Sequence, residues 1–372
     1  MVYLDNAATT QMDEDVIDFM AELMRKHYGN PSSIHAFGRQ TRVIIENART
    51  KIASLLKVNP AEIFFNSGGT EGINTVIKGV LSKAEITKVI TSPIEHSAML
   101  ASIKHYAELY DVELCFLPVD EKANVDIEAL RNELENTEGK ALVSLMHANN
   151  EFGTLLSIKK VGEICHKNNA LFLSDTVQTM GKFKNDFSAD YPDFAIGSAH
   201  KFHGPKGVGF MYVSANQKID PLFIGSQERN MRAGTENIFA ISAMAMAFEK
   251  SYTLMEENSL KYKALKDYLI ERIEKETTGL SFNGDINGLP NLINIAVPKT
   301  ANNEMLLMQF DIAGIMLSGG SACSSGALKD SHVMEAVGRA NDFRAIRIAF
   351  SKYTVKSDVD AFMDVIHKIV TN

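Results

Sequence analysis

The sequence predicts an α/β protein with a mostly parallel sheet, because short apolar runs alternate with amphipathic helical segments through the middle of the chain. The runs that predict strands lie at residues 88–91, 112–117, 141–146, 171–173 and 194–196. Polar or glycine-rich motifs directly follow several of these runs, and ligands bind at the carboxyl ends of strands in parallel sheets. The 372 residues also exceed the usual size of one hydrophobic core, which predicts two domains.

The first motif is a glycine turn that follows an apolar run. Glu62-Ile-Phe-Phe-Asn66 predicts a strand, and Ser67-Gly-Gly-Thr70 predicts a turn followed by the start of a helix. The free backbone N–H groups and the positive dipole end of a helix N-terminus bind phosphate. The segment therefore predicts a phosphate site.

Two later motifs supply a carboxylate and an amine. Leu171-Phe-Leu-Ser-Asp175 predicts a buried strand that ends in a carboxylate, with Gln178 three residues beyond it. Ser198-Ala-His-Lys-Phe-His-Gly-Pro205 places Lys201 in a turn after an apolar run. Pyridoxal phosphate (PLP) needs a phosphate cradle, a buried aspartate that keeps its ring nitrogen protonated, and a lysine that holds its aldehyde carbon. The three motifs together predict a PLP site.

Each of these residues has a simpler alternative when it is taken alone. Without the other motifs, the sequence around Lys201 would indicate an exposed surface lysine. Asp175 would likewise be interpreted as a helix cap. His200 and His203 suggest a metal site, but no carboxylate or cysteine stands nearby at ligand spacing, so no intrinsic metal is predicted.

Composition and charge exclude several classes of protein. The hydrophobic content of 45% and the charged content of 23% are those of an ordinary globular protein. The net charge of −8 argues against direct nucleic-acid binding and against an anionic-membrane surface. No apolar run approaches the ~18 residues of a membrane span. The first residues have neither the basic segment nor the long apolar segment of a secretory signal. We expect a cytoplasmic protein.

The three cysteines differ in their surroundings. Cys115 falls in a predicted strand and Cys165 in a predicted helix, and free cysteines in such elements are usually buried. Cys323 falls in Ser318-Gly-Gly-Ser-Ala-Cys-Ser-Ser-Gly-Ala327, which predicts a loop. A thiol on a loop is accessible, so Cys323 is the predicted reactive cysteine.

The C-terminal third has a different pattern. Residues 237–248 predict a helix that is apolar nearly all round and hence buried. A charged helix at 252–277 follows, then strands at 291–297 and 345–350 and a final amphipathic helix from residue 357. This change of pattern predicts a domain boundary near residue 255.

Many short motifs occur in one order along the chain. They are Leu4-Asp-Asn-Ala-Ala-Thr-Thr10, Gly29-Asn-Pro-Ser-Ser-Ile-His35, Ser67-Gly-Gly-Thr-Glu71, Glu95-His96, Asn149-Asn-Glu151, Asp175-Thr-Val-Gln178, Ser198-Ala-His-Lys201, Arg232-Ala-Gly-Thr-Glu-Asn237 and Gly320-Ser-Ala-Cys-Ser-Ser-Gly326. Together they resemble the NifS/IscS-type cysteine desulfurases, a group of class V aminotransferases among the fold-type I PLP enzymes. The resemblance implies a large PLP-binding domain at 16–255, with a mostly parallel seven-stranded sheet flanked by helices. It also implies a smaller α+β domain at 256–372 that carries the cysteine loop, and an N-terminal segment at 1–15 that packs with the small domain.

The resemblance also implies roles for single residues. It implies Lys201 as the Schiff-base lysine, His96 as a ring-stacking histidine that also moves protons, and Cys323 as the thiol that receives sulfur. The implied cofactor contacts are Gly69, Thr70, Asn150, Asp175, Gln178, Ser198, His200 and Thr235, the last donated by a second subunit. The implied substrate contacts are Arg347, which clamps the carboxylate, and Asn150; taken alone, Arg347 is an exposed residue of an edge strand.

The implied activity is PLP-dependent removal of sulfur from L-cysteine, which gives L-alanine and a persulfide on the enzyme. The implied partners are a second copy of the chain, with shared active sites, and a sulfur acceptor such as an iron–sulfur scaffold protein or a tRNA-thiolation enzyme. Cys323 would also be a transient iron–sulfur ligand shared with such a scaffold. Alternatives are a selenocysteine lyase, an aminotransferase or a non-catalytic scaffold, although the presence of both Lys201 and Cys323 disfavours the last.

One departure from the family pattern lies near the predicted carboxylate clamp. Ala349-Phe-Ser-Lys352 stands where these enzymes usually have Ser-Leu-Gly-Arg. We expect the difference to affect the mouth of the site and leave the PLP contacts unchanged.

Overall fold

A seven-stranded sheet forms the centre of the structure, a computed structural model that describes residues 1–83, 85–190, 192–300, 303–320 and 331–371. Its strands are β2 (Ile63–Asn66), β3 (Ile86–Thr91), β4 (Glu113–Phe116), β5 (Lys140–Ser144), β6 (Leu171–Asp175), β7 (Phe194–Ser198) and β8 (Gly209–Val213). The strand order is β2-β8-β7-β6-β5-β3-β4. β8 is antiparallel to both of its neighbours, and the remaining pairs are parallel. The predicted fold class is confirmed.

Helices cover both faces of this sheet. They are α1 (Glu14–Lys26), α2 (Ala36–Leu56), α3 (Gly69–Leu81), α4 (Ser97–Tyr110), α5 (Ile127–Glu135), α6 (Ile158–Lys167), α7 (Phe187–Asp190) and α8 (Ile238–Thr253). Because successive side chains of a strand point to opposite faces, Val143 packs in the core formed with α2, α6 and α8, while Leu142 packs in the core formed with α3 and α4. α8 is buried along most of its length, as its apolar sequence predicts.

A second, smaller unit follows α8. Its elements are α9 (Met255–Glu276), β9 (Ser281–Asn283), β10 (Leu292–Pro298), α10 (Leu306–Ile312), β11 (Ile315–Met316), α11 (His332–Ala336), β12 (Phe343–Ala349) and α12 (Lys356–Thr371). The antiparallel sheet β12-β10-β9 packs against α9 and α12 around its own apolar core. Short 3₁₀ turns at Pro60–Glu62, Ala199–Lys201 and Glu228–Asn230 complete the described elements.

The N-terminal segment joins the smaller unit. β1 (Val2–Tyr3) pairs in parallel with β11, and Leu4 is fully buried in the core of the smaller unit. These separate sheets and cores support a division into 1–15, 16–255 and 256–372, which we keep as a proposal.

The two cysteines on regular elements differ in exposure. Cys165 on α6 is fully buried, as predicted. Cys115 is only half-buried, so the prediction that it is buried is wrong. The reason is that β4 is the edge strand of the sheet, which leaves part of its surface uncovered. Among the described helices, none is long and apolar enough to cross a membrane.

Candidate active site

A cavity of about 260 Å³ lies at the carboxyl ends of β6 and β7. Ten residues that the sequence singled out line it: Gly69, Thr70, His96, Asn150, Asp175, Gln178, Ser198, His200, Lys201 and Arg347. They come from segments as far apart in the chain as the start of α3 and the strand β12. The parallel strands end at one edge of the sheet, which is why motifs distant in sequence meet there.

Lys201 reaches the cavity from the 3₁₀ turn that follows β7. Its Nζ donates hydrogen bonds to the backbone carbonyls of Ala7, at 2.6 Å, and Ala8, at 2.8 Å. The backbone N–H of Thr10 in turn donates to the carbonyl of His200, at 2.8 Å. The N-terminal segment is thereby fixed against the lysine turn and holds the amine in place.

Asp175 is the last residue of β6 and is only 6% exposed. One carboxylate oxygen accepts a hydrogen bond from the backbone N–H of Val177, at 3.0 Å. Burial raises the pKa of Asp175, and the nearby His96 and Lys201 act in the opposite direction. A cation in the cavity would therefore stabilise the ionised carboxylate. Beside it, the side-chain amide of Gln178 donates to the carbonyl of Ala7, at 2.9 Å.

His96 caps the N-terminus of α4 and lines the cavity. Its Nδ1 accepts a hydrogen bond from the backbone N–H of Ala98, at 3.2 Å, so a neutral ring carries its proton on Nε2. Burial lowers the pKa of His96, and the attraction of Asp175 only partly opposes this. The ring is therefore neutral near pH 7 and keeps one N–H to donate.

The N-terminus of α3, which follows the glycine turn, lines the cavity with Gly69 and Thr70. The capping residue Gly68 has φ +144°, a conformation that favours glycine, and it makes no side-chain cap. A Cβ at Gly68 would lie 3.5 Å from the hydroxyl oxygen of Ser198, so this hydroxyl is adjacent to the helix start. Burial, with a smaller contribution from Lys201, lowers the pKa of His200 to about 4. The backbone N–H groups, a hydroxyl and a neutral imidazole can all donate to a phosphate.

Arg347 lies on β12 and is 2% exposed, although it stands on an edge strand. The N-terminal segment and the chain before residue 321 cover that edge through isolated bridges at Asp5 and Ser318. The guanidinium donates to the Asp5 carboxylate, at 2.9 Å, and to the Asn150 carbonyl, at 3.0 Å. Its Nε–H is buried and has no partner among the described residues. The alternative of an exposed edge arginine is therefore wrong.

Two predicted site residues remain to be placed. Cys323 lies outside the described residues. Thr235 is exposed and does not line the cavity, although the ion pair between Arg232 and Glu71, at 2.9 Å, ties its segment to the first turn of α3.

Two further residues near these motifs make contacts of their own. His203 forms a hydrogen bond between its Nδ1 and the carbonyl of Gln11, at 2.8 Å. Lys352, in the segment that departs from the family pattern, pairs with the buried Asp13 at 2.5 Å. Neither side chain lines the cavity.

Some contacts in the site leave no side-chain signal in the sequence. The carbonyls of Ala7 and Ala8 hold Lys201, and a backbone acceptor can be supplied by any residue type. Asp5 pairs with Arg347 across more than 300 positions of the chain, which no local pattern reveals. The motif Leu4-Asp-Asn-Ala-Ala-Thr-Thr10 was the only indication that this segment belongs to the site.

The fold and the cavity define a class of protein: an α/β enzyme with a lysine, a buried aspartate and a helix N-terminus around one pocket. The aminotransferase class-V family matches residues 2–362. A cysteine desulfurase IscS from Dictyoglomus turgidum is 41% identical over 376 residues, which cover 99% of this chain and 94% of the relative. A cysteine desulfurase from a Nostoc species is 36% identical over 375 residues, with 100% and 93% covered.

A solved structure of a NifS-like protein superposes with a TM-score of 0.91 at 35% identity, covering 100% of this chain and 99% of that one. The chain belongs to the class-V aminotransferase family, among its cysteine desulfurases.

Proposed function

We propose that the protein binds PLP and L-cysteine in this cavity, removes the sulfur atom of L-cysteine and transfers it to Cys323. The chain is a cysteine desulfurase, since it is 41% identical to such an enzyme along nearly its whole length. One observation carries the assignment of the site: the Lys201 amine, the buried Asp175 and the uncapped start of α3 line the same cavity.

The residues around the cavity fit PLP. The backbone N–H groups at the N-terminus of α3, the hydroxyl of Ser198 and the imidazole of His200 can donate hydrogen bonds to a phosphate. Asp175 would hold the ring nitrogen, Gln178 the phenolic oxygen, and Lys201 the aldehyde carbon, while His96 and Asn150 would contact the ring. When bound, PLP withdraws electrons from the Cα atom of an attached amino acid.

The groups of this chain then handle the protons. Released from its carbonyl partners, the Nζ of Lys201 would take the proton from the substrate Cα and hold it for return to the product. His96, neutral and with a proton on Nε2, would donate to or accept from the substrate thiol. The carboxylate of Asp175 stays ionised while a cation faces it, because opposite charges lower the pKa of a buried carboxyl group.

The transfer of sulfur to Cys323 needs no added oxidant or reductant. The Cys323 thiolate attacks the substrate sulfur, the Cβ–S bond breaks, and a sulfur–sulfur bond forms on Cys323. The substrate carbon keeps the electron pair of the broken bond and is protonated to give alanine. Neutral cysteine and one enzyme thiol therefore become alanine and one enzyme persulfide.

The activity is tested by incubating pure holoenzyme with L-cysteine and measuring alanine and total sulfur released, with a thiol reductant present. We expect equal amounts of alanine and sulfide. An aminotransferase would form the corresponding keto acid without sulfide, and a selenocysteine lyase would release alanine only from L-selenocysteine. Either result would contradict the proposal.

Asp175→Asn should leave part of the PLP binding and lower turnover by about a hundredfold or more, the usual cost of losing a charge aimed at the reacting system. Asparagine has nearly the shape of aspartate, and its side-chain oxygen can still accept a hydrogen bond from the N–H of Val177. The drop in turnover therefore measures the effect of the negative charge alone. Steady-state alanine formation and cofactor absorbance measure the two effects. Asp186→Asn, which removes a surface carboxylate paired with Lys57, is the control. A near-normal turnover rate for Asp175→Asn would show that the reaction does not need the charge of Asp175 at the PLP ring nitrogen.

Arg347→Lys should weaken binding of L-cysteine by about ten- to a hundredfold, because an ammonium cannot bind a carboxylate through two parallel hydrogen bonds. The effect should fall mainly on KM. Arg344→Lys is the matched control, since Arg344 lies on the same strand and its Nε donates to Asn303, at 3.0 Å. Equal KM values for Arg347→Lys and the unaltered enzyme would show that the substrate carboxylate binds elsewhere.

A homodimer is proposed because Thr235 is exposed beside exposed apolar side chains. Phe223, whose carbonyl accepts from the N–H of Ala233, is 47% exposed, and Ile224 is 88% exposed. A second subunit that covers them would bring Thr235 to its phosphate site. The sulfur acceptor, an iron–sulfur scaffold or a tRNA-thiolation enzyme, and the cytoplasmic location stay predictions.

Ile224→Glu is expected to shift the protein toward monomer and to lower activity in parallel, because it places a charge in the proposed interface. Sedimentation velocity at micromolar concentration and alanine formation measure the two effects. Leu260→Glu, at an exposed position on α9, is the control. A fully active monomer would exclude active sites shared between subunits.

A further inference from the structure

The N-terminal segment at residues 5–13 lies against the turn that carries Lys201. Two backbone carbonyls of the segment hold the Nζ of Lys201. The hydroxyl of Thr10 donates to the carbonyl of His200, at 2.9 Å, and accepts from the backbone N–H of His203, at 2.8 Å. The segment and the lysine turn therefore hold a fixed position relative to each other.

The same segment also contacts the strand β12, which carries the proposed carboxylate clamp. Asp5 pairs with Arg347, and the side-chain amide of Asn6 donates to the carbonyl of Ala349, at 2.8 Å. The backbone N–H of Ala349 donates to the carbonyl of Leu4, at 2.7 Å. The amine and the carboxylate of L-cysteine are attached to the same carbon atom, so the lysine turn and the clamp must keep a fixed spacing to bind both.

Asp13 stands at the end of this segment and joins the two units of the structure. It is the N-cap residue of α1 and only 2% exposed, but its carboxylate makes no cap hydrogen bond. Instead, Oδ2 pairs with Lys352, at 2.5 Å, and with Lys250, at 3.1 Å, while Oδ1 accepts from the hydroxyl of Tyr353, at 2.7 Å. Lys352 and Tyr353 follow β12 in the smaller unit, whereas Lys250 lies on α8 of the larger one.

The carboxyl group of Asp13 is ionised at neutral pH. Burial opposes this ionisation, but the hydrogen bonds from the two lysines and the tyrosine together lower the pKa of Asp13. Burial lowers the pKa of the neighbouring His203 to about 4, so that ring is neutral and its Nδ1–H donates to the carbonyl of Gln11, at 2.8 Å. The ring of Tyr353 meets the ring of His203 edge-on, with 5.6 Å between their centroids. The contact between the two units thus combines a buried charge, its two cations and a packed ring pair.

The backbone of Asp13 completes the connection to the lysine turn. Its N–H donates to the carbonyl of His203, at 3.2 Å, two residues after Lys201. On the other side, the carbonyl of Lys352 accepts from the Nζ of Lys261 on α9, at 2.5 Å, which fixes the end of β12 within the smaller unit. A displacement of the smaller unit would therefore have to break the contacts of the Asp13 carboxylate.

We propose that Asp13 is a positioning residue for substrate binding: its carboxylate fixes the strand that carries Arg347 relative to the turn that carries Lys201. The inference rests on the proposed function, because it takes Arg347 as the clamp of the substrate carboxylate. Binding and catalysis are sensitive to such spacing, since a misplacement of about 1 Å can cost a hundredfold in rate.

The test compares substrate binding in holoenzyme variants. Asp13→Asn and Lys352→Met should raise the KM for L-cysteine by about fivefold or more. The Kd of the product L-alanine, measured from the change in cofactor absorbance, should rise in parallel, and this readout does not involve Cys323. The imine absorbance should stay within about twofold, since the carbonyls that hold Lys201 are unchanged.

Two further variants serve as controls. Lys352→Arg keeps the cation and introduces the arginine that is usual in the family at this position, so it should keep the KM within about twofold. Asp15→Asn removes an exposed carboxylate that also pairs with Lys250, at 2.5 Å, and should leave both KM and Kd unchanged.

A double variant tests whether Asp13 acts through the clamp. The KM of Asp13→Asn combined with Arg347→Lys should exceed that of Arg347→Lys by less than about twofold, because an effect that acts through one residue adds little once that residue is altered. If the two increases in KM multiply, Asp13 acts independently of Arg347 and the proposal is overturned.

The remaining results are separable. Normal KM and Kd values in both Asp13→Asn and Lys352→Met would overturn the positioning role. A lower kcat at unchanged KM would also overturn it, because that is the result of fewer folded molecules. If Asp13→Asn does not fold, Lys352→Met and Tyr353→Phe decide the matter. An unchanged KM in Arg347→Lys would instead overturn the clamp assigned in the proposed function.

Discussion

Lys201→Ala is expected to abolish desulfuration, with turnover lower by at least about a thousandfold, and to eliminate the imine that borohydride reduces. Lys201 is the lysine whose Nζ lines the cavity with Asp175, and two backbone carbonyls hold it there. Without the amine, no group of the chain at that position can hold the aldehyde carbon of PLP or move the proton of the substrate Cα. Absorbance above 400 nm, borohydride reduction with peptide mapping, and alanine formation are the measurements.

Two neighbouring lysines provide the controls. Lys206→Ala changes an exposed residue and should leave the imine and the rate intact. Lys182 is a stricter control, because burial lowers its pKa to about 7 and its Nζ donates to the carbonyl of Lys201, at 3.3 Å. It lies outside the cavity, so Lys182→Ala should keep the imine. If the imine persists in Lys201→Ala and disappears in either control variant, the assignment of the imine-forming amine to Lys201 is wrong.

Cys323→Ser is expected to bind PLP and L-cysteine normally, to show the spectral changes of the bound substrate, and to release less than about a hundredth of the normal sulfide. Lys201, Asp175 and Arg347 are unchanged in this variant, so the steps at the substrate Cα are retained. A serine hydroxyl cannot take up the sulfur atom as a persulfide. Stopped-flow absorbance and sulfide release separate the two parts of the reaction.

The other cysteines serve as controls for this result. Burial strongly raises the pKa of the Cys165 thiol, and burial also raises that of Cys115. Both thiols are therefore protonated near pH 7 and are poor nucleophiles. Cys115→Ser and Cys165→Ser should desulfurate at the normal rate. A normal rate in Cys323→Ser would leave the reaction without its proposed acceptor.

The fold was predictable from local patterns wherever a strand stood out as an apolar run between helices. β3, β4, β5, β6 and β7 all coincide with predicted runs. β8 (Gly209–Val213) was not predicted. It is buried on both faces, so its sequence has no polar alternation, and glycines at 207 and 209 weaken the pattern of a strand.

The site was predictable to the extent that side-chain chemistry marks it. Asp175 and Ser198 end strands β6 and β7, Lys201 lies in the turn after β7, and the glycine turn before α3 marks the proposed anion site. Backbone acceptors and long-range partners carry no such mark: the contacts of Lys201 with the carbonyls of Ala7 and Ala8, and of Arg347 with Asp5, depend on packing between distant segments. The half-exposure of Cys115 likewise follows from its place on the edge strand, which the order of strands in the sequence does not reveal.

The central claim is that sulfur leaves L-cysteine as alanine forms and is received by Cys323. It is tested most directly by a single pulse of L-cysteine on the holoenzyme without reductant, followed by alkylation, peptide mapping and measurement of alanine. The account predicts one alanine for each persulfide, with the extra sulfur on the peptide that contains residues 321–327 in the unaltered enzyme. Extra sulfur on Cys115 or Cys165, or persulfide formed without an equal amount of alanine, would contradict it.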